Sequence, residues 1–201
     1  MIELHGFAMS PNTRRARFML EELAVPHRFV DVNLMTAEHR GEAYRALNPT
    51  ARVPTLVDGD LKLWESNAIL VYLGELYPER KLLGDAPRER AEVARWMYMN
   101  ASHLSASLAR IFAHTIRLPE EQRLPRVAEE ARAEVDRCLA PLEVQLADRE
   151  HVAGRFTAAD VALAPSLSLA PMLQVDLSRT PAVAAWLARI AERPAWKKSA
   201  G

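Results

Sequence analysis

The chain of 201 residues carries 26 Lys plus Arg against 26 Asp plus Glu, and 49% of it is hydrophobic, which suits one large globular domain or two small ones. A formal charge of zero argues against nucleic acid as a partner, because phosphate binding leaves a basic footprint. The single cysteine, Cys138, closes no internal disulfide. No apolar run reaches the length of a membrane span, residues 161–173 being too short and broken by prolines, and the first residues do not read as a secretory signal, so a cytoplasmic protein is expected.

Taken in chain order, residues 2–5 alternate as a short strand and residues 11–23 form the first helix. Ser10 is placed to cap that helix, with Pro11 at its first position, where a missing N–H costs nothing. A second strand is expected over 29–32 and a short helix over 36–47, stopped by Asn48-Pro49. Residues 55–57 and 61–64 read as strands joined by the tight turn Asp58-Gly59-Asp60, an antiparallel hairpin. A third helix runs over 66–77 with Ile69, Leu73, Leu76 and Tyr77 on its buried face. This order, βαβ then α then ββα, is the thioredoxin-like arrangement, with one parallel crossover and antiparallel edges.

The remainder reads as helix alone. The expected division is a thioredoxin-like domain over 1–77, a linker over 78–87 and an all-helical domain over 88–201. Asp85 is expected to cap a long helix through Phe112, with Val93, Met97, Leu108, Ile111 and either His103 or Leu104 facing inward. Residues 120–148 form another helix, bent or interrupted by Pro125 and Pro141. Thr157 and Asp160 have the spacing of a capping box, with Phe156 and Val161 set for a hydrophobic staple. Thr180-Pro181 opens a last helix by cap-then-proline logic, and Trp196 is expected either to pack over the first domain or to lie in a frayed tail.

Several residues suggest chemistry beside their structural roles. Ser10 lacks the surroundings of a serine nucleophile. A hydroxyl at a helix start can instead donate to an anion beside open backbone N–H groups and the positive end of the helix dipole. A thiolate fits such a site, since a free thiol is mostly protonated near neutral pH. Pro54 is either an ordinary strand-entry proline or a cis proline that leaves the Val53 backbone free to pair with a peptide ligand. Glu65 and Ser66 offer a carboxylate for an ammonium, a hydroxyl, and free N–H groups for a carboxylate, which matches an amino-acid ligand. His39, Arg40 and Arg52 are solvated basic residues or the holders of a second ligand carboxylate.

The stretches HGFAMSPNTRRAR, LNPTARVPTLVDGDLKLWESNAILVYL and GRFTAADVALAP resemble the cytosolic glutathione transferase family over nearly the whole chain, with phi-like and related bacterial serine-type members nearest in pattern. The resemblance implies a thioredoxin-like α/β domain followed by an all-α domain, glutathione as co-substrate, no metal, and a homodimer. It implies that Ser10 is the activating serine. Asn12 is added because Ser10-Pro11-Asn12 also resembles the disulfide-reducing bacterial members. It further implies that His39 and Arg40 contact glutathione, that Val53 and Pro54 form the backbone-pairing unit, that Glu65 and Ser66 bind the γ-glutamyl end, and that Arg52 lies near the glycyl end. Two positions depart from the pattern: Ala51-Arg52 stands in place of Gly-Gln, and Asn67 in place of Arg.

With the sulfur pointing away from Glu65, the second substrate is expected near Phe7, Met9, His103, Ser107, Arg110, Ile111 and His114. Three functions then compete. The first is conjugation of glutathione to an electrophilic, largely apolar molecule. The second is glutathione-dependent disulfide reduction on the same fold. The third is glutathione binding without catalysis.

Overall fold

The computed structural model describes residues 1–200. These divide into two compact units, residues 1–83 with 192–200, and Gly84–Ala191.

In the first unit, strands β1 (Ile2–Gly6), β2 (His27–Asp31), β3 (Thr55–Asp58) and β4 (Leu61–Trp64) form one sheet in the order β2-β1-β3-β4. The β1–β2 pair is parallel, with Leu4 opposite Phe29, and β3 lies antiparallel to both β1 and β4. Helix α1 (Pro11–Glu22) supplies the crossover, and α3 (Ser66–Leu76) packs against it. Leu4 and Leu56 from the sheet, Met19 and Leu20 from α1, and Ile69 and Leu73 from α3 are all fully buried. Each such side chain removed from water contributes about 1.5–3 kcal/mol. Gly6 lets α1 approach the end of β1, because a Cβ there would stand 2.4 Å from Thr13 Cγ2.

The expected helix over 36–47 is two shorter pieces, a 3-10 turn at Glu38–Arg40 and α2 (Glu42–Arg45). Gly41, in extended backbone, separates them. The expected linker contains a further 3-10 turn, Pro78–Arg80. After it Leu83 lies against Gly74 of α3, where a Cβ would meet it at 2.6 Å.

The second unit is helical. Helix α4 (Pro87–Met99), a π-helical turn (Asn100–Leu104), α5 (Ser105–Phe112) and a second π turn (Ala113–Arg117) succeed one another. Asp85 does not cap α4: the N-cap is Ala86, which supplies no side-chain bond, and Asp85 instead donates its N–H to Glu89 Oε2 at 2.9 Å. Of the two inward-facing candidates, Leu104 is buried and His103 exposed. Pro125 opens α6 (Pro125–Leu146) at its first turn and Pro141 lies inside it, so the segment before Pro125 is only a 3-10 turn, Glu120–Gln122.

Helix α7 (Ala158–Leu167) is buried at every residue and carries the expected capping box. Asp160 accepts the N–H of Thr157 at 2.9 Å, of Val152 at 3.2 Å and of the Trp186 indole at 2.9 Å, so a fully buried carboxylate is satisfied on several sides. Asn100 crosses to the same helix, donating to Ala162 O and accepting from Ser166 Oγ, each at 2.9 Å. At the start of α8 (Pro181–Glu192) the acceptor is not Thr180, whose hydroxyl donates to Leu177 O. Glu143 of α6 accepts the Ala182 and Val183 N–H groups instead, at 3.0 and 2.9 Å.

The chain finishes in α9 (Pro194–Lys198), within the first unit. The Trp196 ring meets Phe18 edge-on at 5.3 Å and carries the Arg14 guanidinium 3.5 Å above its centroid. Arg193 pairs with Glu22 through both Nε and Nη2.

Candidate active site

Strand register gathers most of the candidate residues of the first unit at one end of the sheet. His5, opposite Thr55, leads into the loop before Ser10; Thr55 follows Val53-Pro54; Trp64, also opposite Thr55, precedes Glu65-Ser66. Ser10 is the N-cap of α1 and its Oγ accepts the Thr13 N–H at 3.4 Å. That bond uses a lone pair only. The hydroxyl proton has no acceptor among the described residues, and the Asn12 N–H lies in the first turn, where donors have no intrahelical partner.

Asn12 is held from below. Its Oδ1 accepts from Arg15 Nη1 at 2.5 Å, and the same nitrogen donates to Ser66 Oγ at 3.2 Å. Arg15 is buried, and desolvation draws its pKa down to about 10, so the guanidinium is still charged near neutral pH. One cation therefore ties the first turn of α1 to the first residue of α3. Sequence reasoning missed Arg15; its signal is the i, i+4 spacing to buried Met19, which puts it on the inward face.

The Val53–Pro54 peptide is cis, and neither the N–H nor the C=O of Val53 has a hydrogen-bond partner among the described residues. The loop before it is pinned through Arg52 O, which accepts from Tyr44 Oη and Asn48 Nδ2, each at 2.7 Å. Tyr44 Oη also lies 2.9 Å from Thr55 Oγ1, and Asn48 Oδ1 accepts from Thr50 N–H at 3.0 Å. These two loop-setting residues were also missed, although Asn48-Pro49-Thr50 is the sequence form of an Asx turn.

Glu65 takes φ 70° and ψ 111° at the N-cap of α3 and makes no side-chain cap. For a non-glycine residue this backbone costs about 1–3 kcal/mol, a strain of the kind that clusters at ligand sites. The Glu65 carboxylate is exposed and Ser66 is buried behind it. His39 is half-buried, with Nδ1 unpartnered; Arg40 beside it and Arg52 on the pinned loop are exposed. In the loop ahead of Ser10, Phe7 is half-buried and Met9 is 81% exposed.

The expected second-substrate residues of the helical unit have partners of their own. His103 Nδ1 stands 3.7 Å from Glu134 and Arg110 Nη2 stands 3.5 Å from Glu130, both on α6. His114 Nδ1 accepts the Leu124 N–H at 3.2 Å. Ser107 and Ile111 are buried. Cys138 is a core thiol, pushed up to about 11 mainly by burial. Among the described residues no cluster of three or more His, Cys, Asp or Glu forms a metal site, and no helix is long and apolar enough to cross a membrane.

A thioredoxin-like sheet with a cis proline before β3, a strained residue opening α3 and an all-helical second unit define the class, and comparison with known proteins agrees. Residues 4–81 match the family described as "Glutathione S-transferase, N-terminal domain" and residues 91–194 match "Glutathione S-transferase, C-terminal domain". The chain belongs to the glutathione S-transferase family. It is 34% identical to glutathione S-transferase F10 of Arabidopsis thaliana over 93% of this chain and 91% of that protein. To GstB of Escherichia coli K12 it is 33% identical over 98% and 97%. Among solved structures, the glutathione transferase URE2P6 of Phanerochaete chrysosporium, in complex with oxidized glutathione, superposes with a TM-score of 0.91 at 28% identity, covering 98% of this chain and 94% of that one. A Burkholderia graminis glutathione transferase with two glutathione molecules per subunit superposes at 0.90 with 26% identity, covering 99% and 87%.

Proposed function

We propose that the first unit binds glutathione and that Ser10 stabilises its thiolate, which attacks an electrophilic, largely apolar substrate. The observation that carries this reading is the open Ser10 O–H at the N-terminus of α1, at the same end of the sheet as the unpaired Val53 backbone and the Glu65-Ser66 helix start. The cysteinyl backbone pairs with Val53, the γ-glutamyl end with Glu65 and Ser66, and the glycyl carboxylate with His39, Arg40 and Arg52. Ser10 acts as a hydrogen-bond donor to sulfur, with the Asn12 N–H and the helix dipole adding to the field. The enzyme supplies a lowered thiol pKa and proximity, with no covalent protein intermediate. Met9, exposed beside Ser10, offers polarizable surface to an apolar electrophile. We also propose a homodimer in the cytoplasm.

Replacement of Ser10 tests the reading. Ser10→Ala is expected to keep glutathione binding and raise the pKa of the bound thiol by about one to two units, the loss of one charge-assisted hydrogen bond of roughly 1.5–3 kcal/mol. Thiolate absorbance against pH measures it, and an unchanged titration assigns the role to Asn12 or the backbone. A second reading, reduction of a glutathione-containing disulfide, is favoured by the oxidized glutathione held by URE2P6. A panel of aromatic electrophiles and mixed disulfides separates the two. Arg110→Ala in the same panel tests the helical-unit residues: no change in rate or preference removes Arg110 from the substrate site.

A further inference from the structure

A second concave feature lies wholly within the helical unit, apart from the residues assigned to glutathione. A cavity of about 640 Å³ is framed by the start of α4, the end of α6 and the loop before α7, with Arg88, Arg95, Arg149 and Arg155 against Glu89 and Glu92 in its lining. The two carboxylates are already engaged. Glu92 Oε1 accepts from Arg95 at 2.5 Å, Trp96 Nε1 at 3.1 Å and Gln145 Nε2 at 3.3 Å, while Glu89 Oε2 accepts the Asp85 N–H at 2.9 Å. Of the four guanidinium groups, only that of Arg95 is hydrogen-bonded to them. Arg88 makes no hydrogen bond or ion pair among the described residues. Arg149 approaches only Asp148, at 3.7 Å. Arg155 turns a buried Nη2 inward with no hydrogen-bond partner, its nearest carboxylate oxygen, on Glu89, being 3.7 Å away.

The backbone has the same polarity. Helix α4 starts into the cavity with Ala86 as a cap that supplies no acceptor, so the N–H groups of Arg88 and Glu89 add to the positive end of a 13-residue helix. Gly84 and Gly154 border the opening, both at positive φ. Gly84 lies so close over α4 that a Cβ would stand 2.8 Å from Arg90 N, whereas a Cβ at Gly154 would meet nothing within 4 Å. Unspent guanidinium donors, an uncapped helix start and open backbone in one cavity describe an anion site. The volume falls in the range of small-molecule sites, and no aromatic side chain lines it to stack a base.

We propose that this cavity binds a compact phosphorylated anion, held by Arg88, Arg149 and Arg155 and by the first turn of α4. The glutathione site does not take part. Inorganic pyrophosphate is the probe, titrated calorimetrically into the full chain at low salt. Saturable binding that weakens as salt is raised is expected. Arg88→Ala and Arg155→Gln are each expected to weaken it by about tenfold or more, as the loss of a charge-assisted contact would. Arg179→Ala, which removes an arginine on another face of the unit, leaves it unchanged, and S-methylglutathione does not displace it. Absence of saturable binding, equal weakening by Arg179→Ala, or displacement by S-methylglutathione overturns the proposal. Because Arg155 contacts the fold, thermal unfolding is followed for each variant. Arg88, exposed and unbonded, decides the matter should Arg155→Gln unfold.

Discussion

Glu65 sits in a left-handed conformation that its side chain does nothing to stabilise locally, since it makes no cap to α3. Glycine tolerates that φ, so Glu65→Gly relieves strain of about 1–3 kcal/mol while adding the entropy of a freer unfolded chain, about 0.5–1 kcal/mol. The expected net result is an unchanged or higher urea midpoint together with a raised KM for glutathione, because the carboxylate proposed to hold its ammonium is gone. A fall in both stability and KM contradicts this account. Cys138 gives a pH dependence at the same scale. Burial, with Glu134 adding to it, pushes its thiol from an ordinary 9.0 up to about 11. The folded state thus holds the proton more tightly than the unfolded chain. This contribution is complete below about pH 9 and is lost as the pH rises through about 11, a change of about 2–3 kcal/mol. Urea unfolding of the native chain and of Cys138→Ala at pH 8 and pH 11 checks it: the native chain should lose the greater stability between the two.

The helix starts show how far local sequence carries. Ser10-Pro11 and Thr157 with Asp160 form the caps that their spacing predicts, because each is complete within a few residues. The cap expected from Thr180 fails for a reason that no local window contains: a carboxylate 37 positions earlier in the chain, Glu143, reaches the open N–H groups of Ala182 and Val183. Glu143→Ala is therefore expected to cost about 1–2 kcal/mol, as the loss of a charged helix cap does, while Thr180→Val costs less. Thermal unfolding of the two variants ranks them. The candidate site divides in the same way. Ser10, Pro54, Glu65 and Ser66 were legible because each stands at an element boundary, where caps and prolines have local meaning. Arg15 was not, since one arginine of the run Arg14-Arg15 turns inward to Asn12 and Ser66 while the other stacks on the Trp196 ring, and only the packed helix decides which. The long helix through Phe112 was legible in its buried face. Its π turns were not, and they decide that Leu104 is buried and His103 exposed.

Across the whole molecule, residues far apart in sequence complete one unit: Trp196 meets Phe18 and Arg14, Ser199 accepts from Arg14 Nε at 3.3 Å, and Arg193 holds Glu22. Trp196→Ala is expected to destabilise the protein by about 3–5 kcal/mol, the usual range for emptying a packed tryptophan site. Loss of the corresponding fluorescence signal and a lower urea midpoint would accompany it; an unchanged midpoint would show the tail to be an ornament of the first unit. Sedimentation at micromolar concentration tests the proposed homodimer, for which a monomer mass is the contrary result.

The return of residues 192–200 to the first unit also sets a schedule for the chain as it is made. A ribosome releases β1, α1 and the whole four-stranded sheet early, but Phe18 and Glu22 wait for partners that emerge only after all of residues 84–191 have been synthesised. At about 5–20 residues per second that interval lasts several seconds to some twenty seconds, during which an apolar face of α1 is open to water and to other nascent chains. The helical unit, whose residues are contiguous, carries no such delay. The first unit is the first to leave the ribosome and receives its last residues only after the whole of the second has been made.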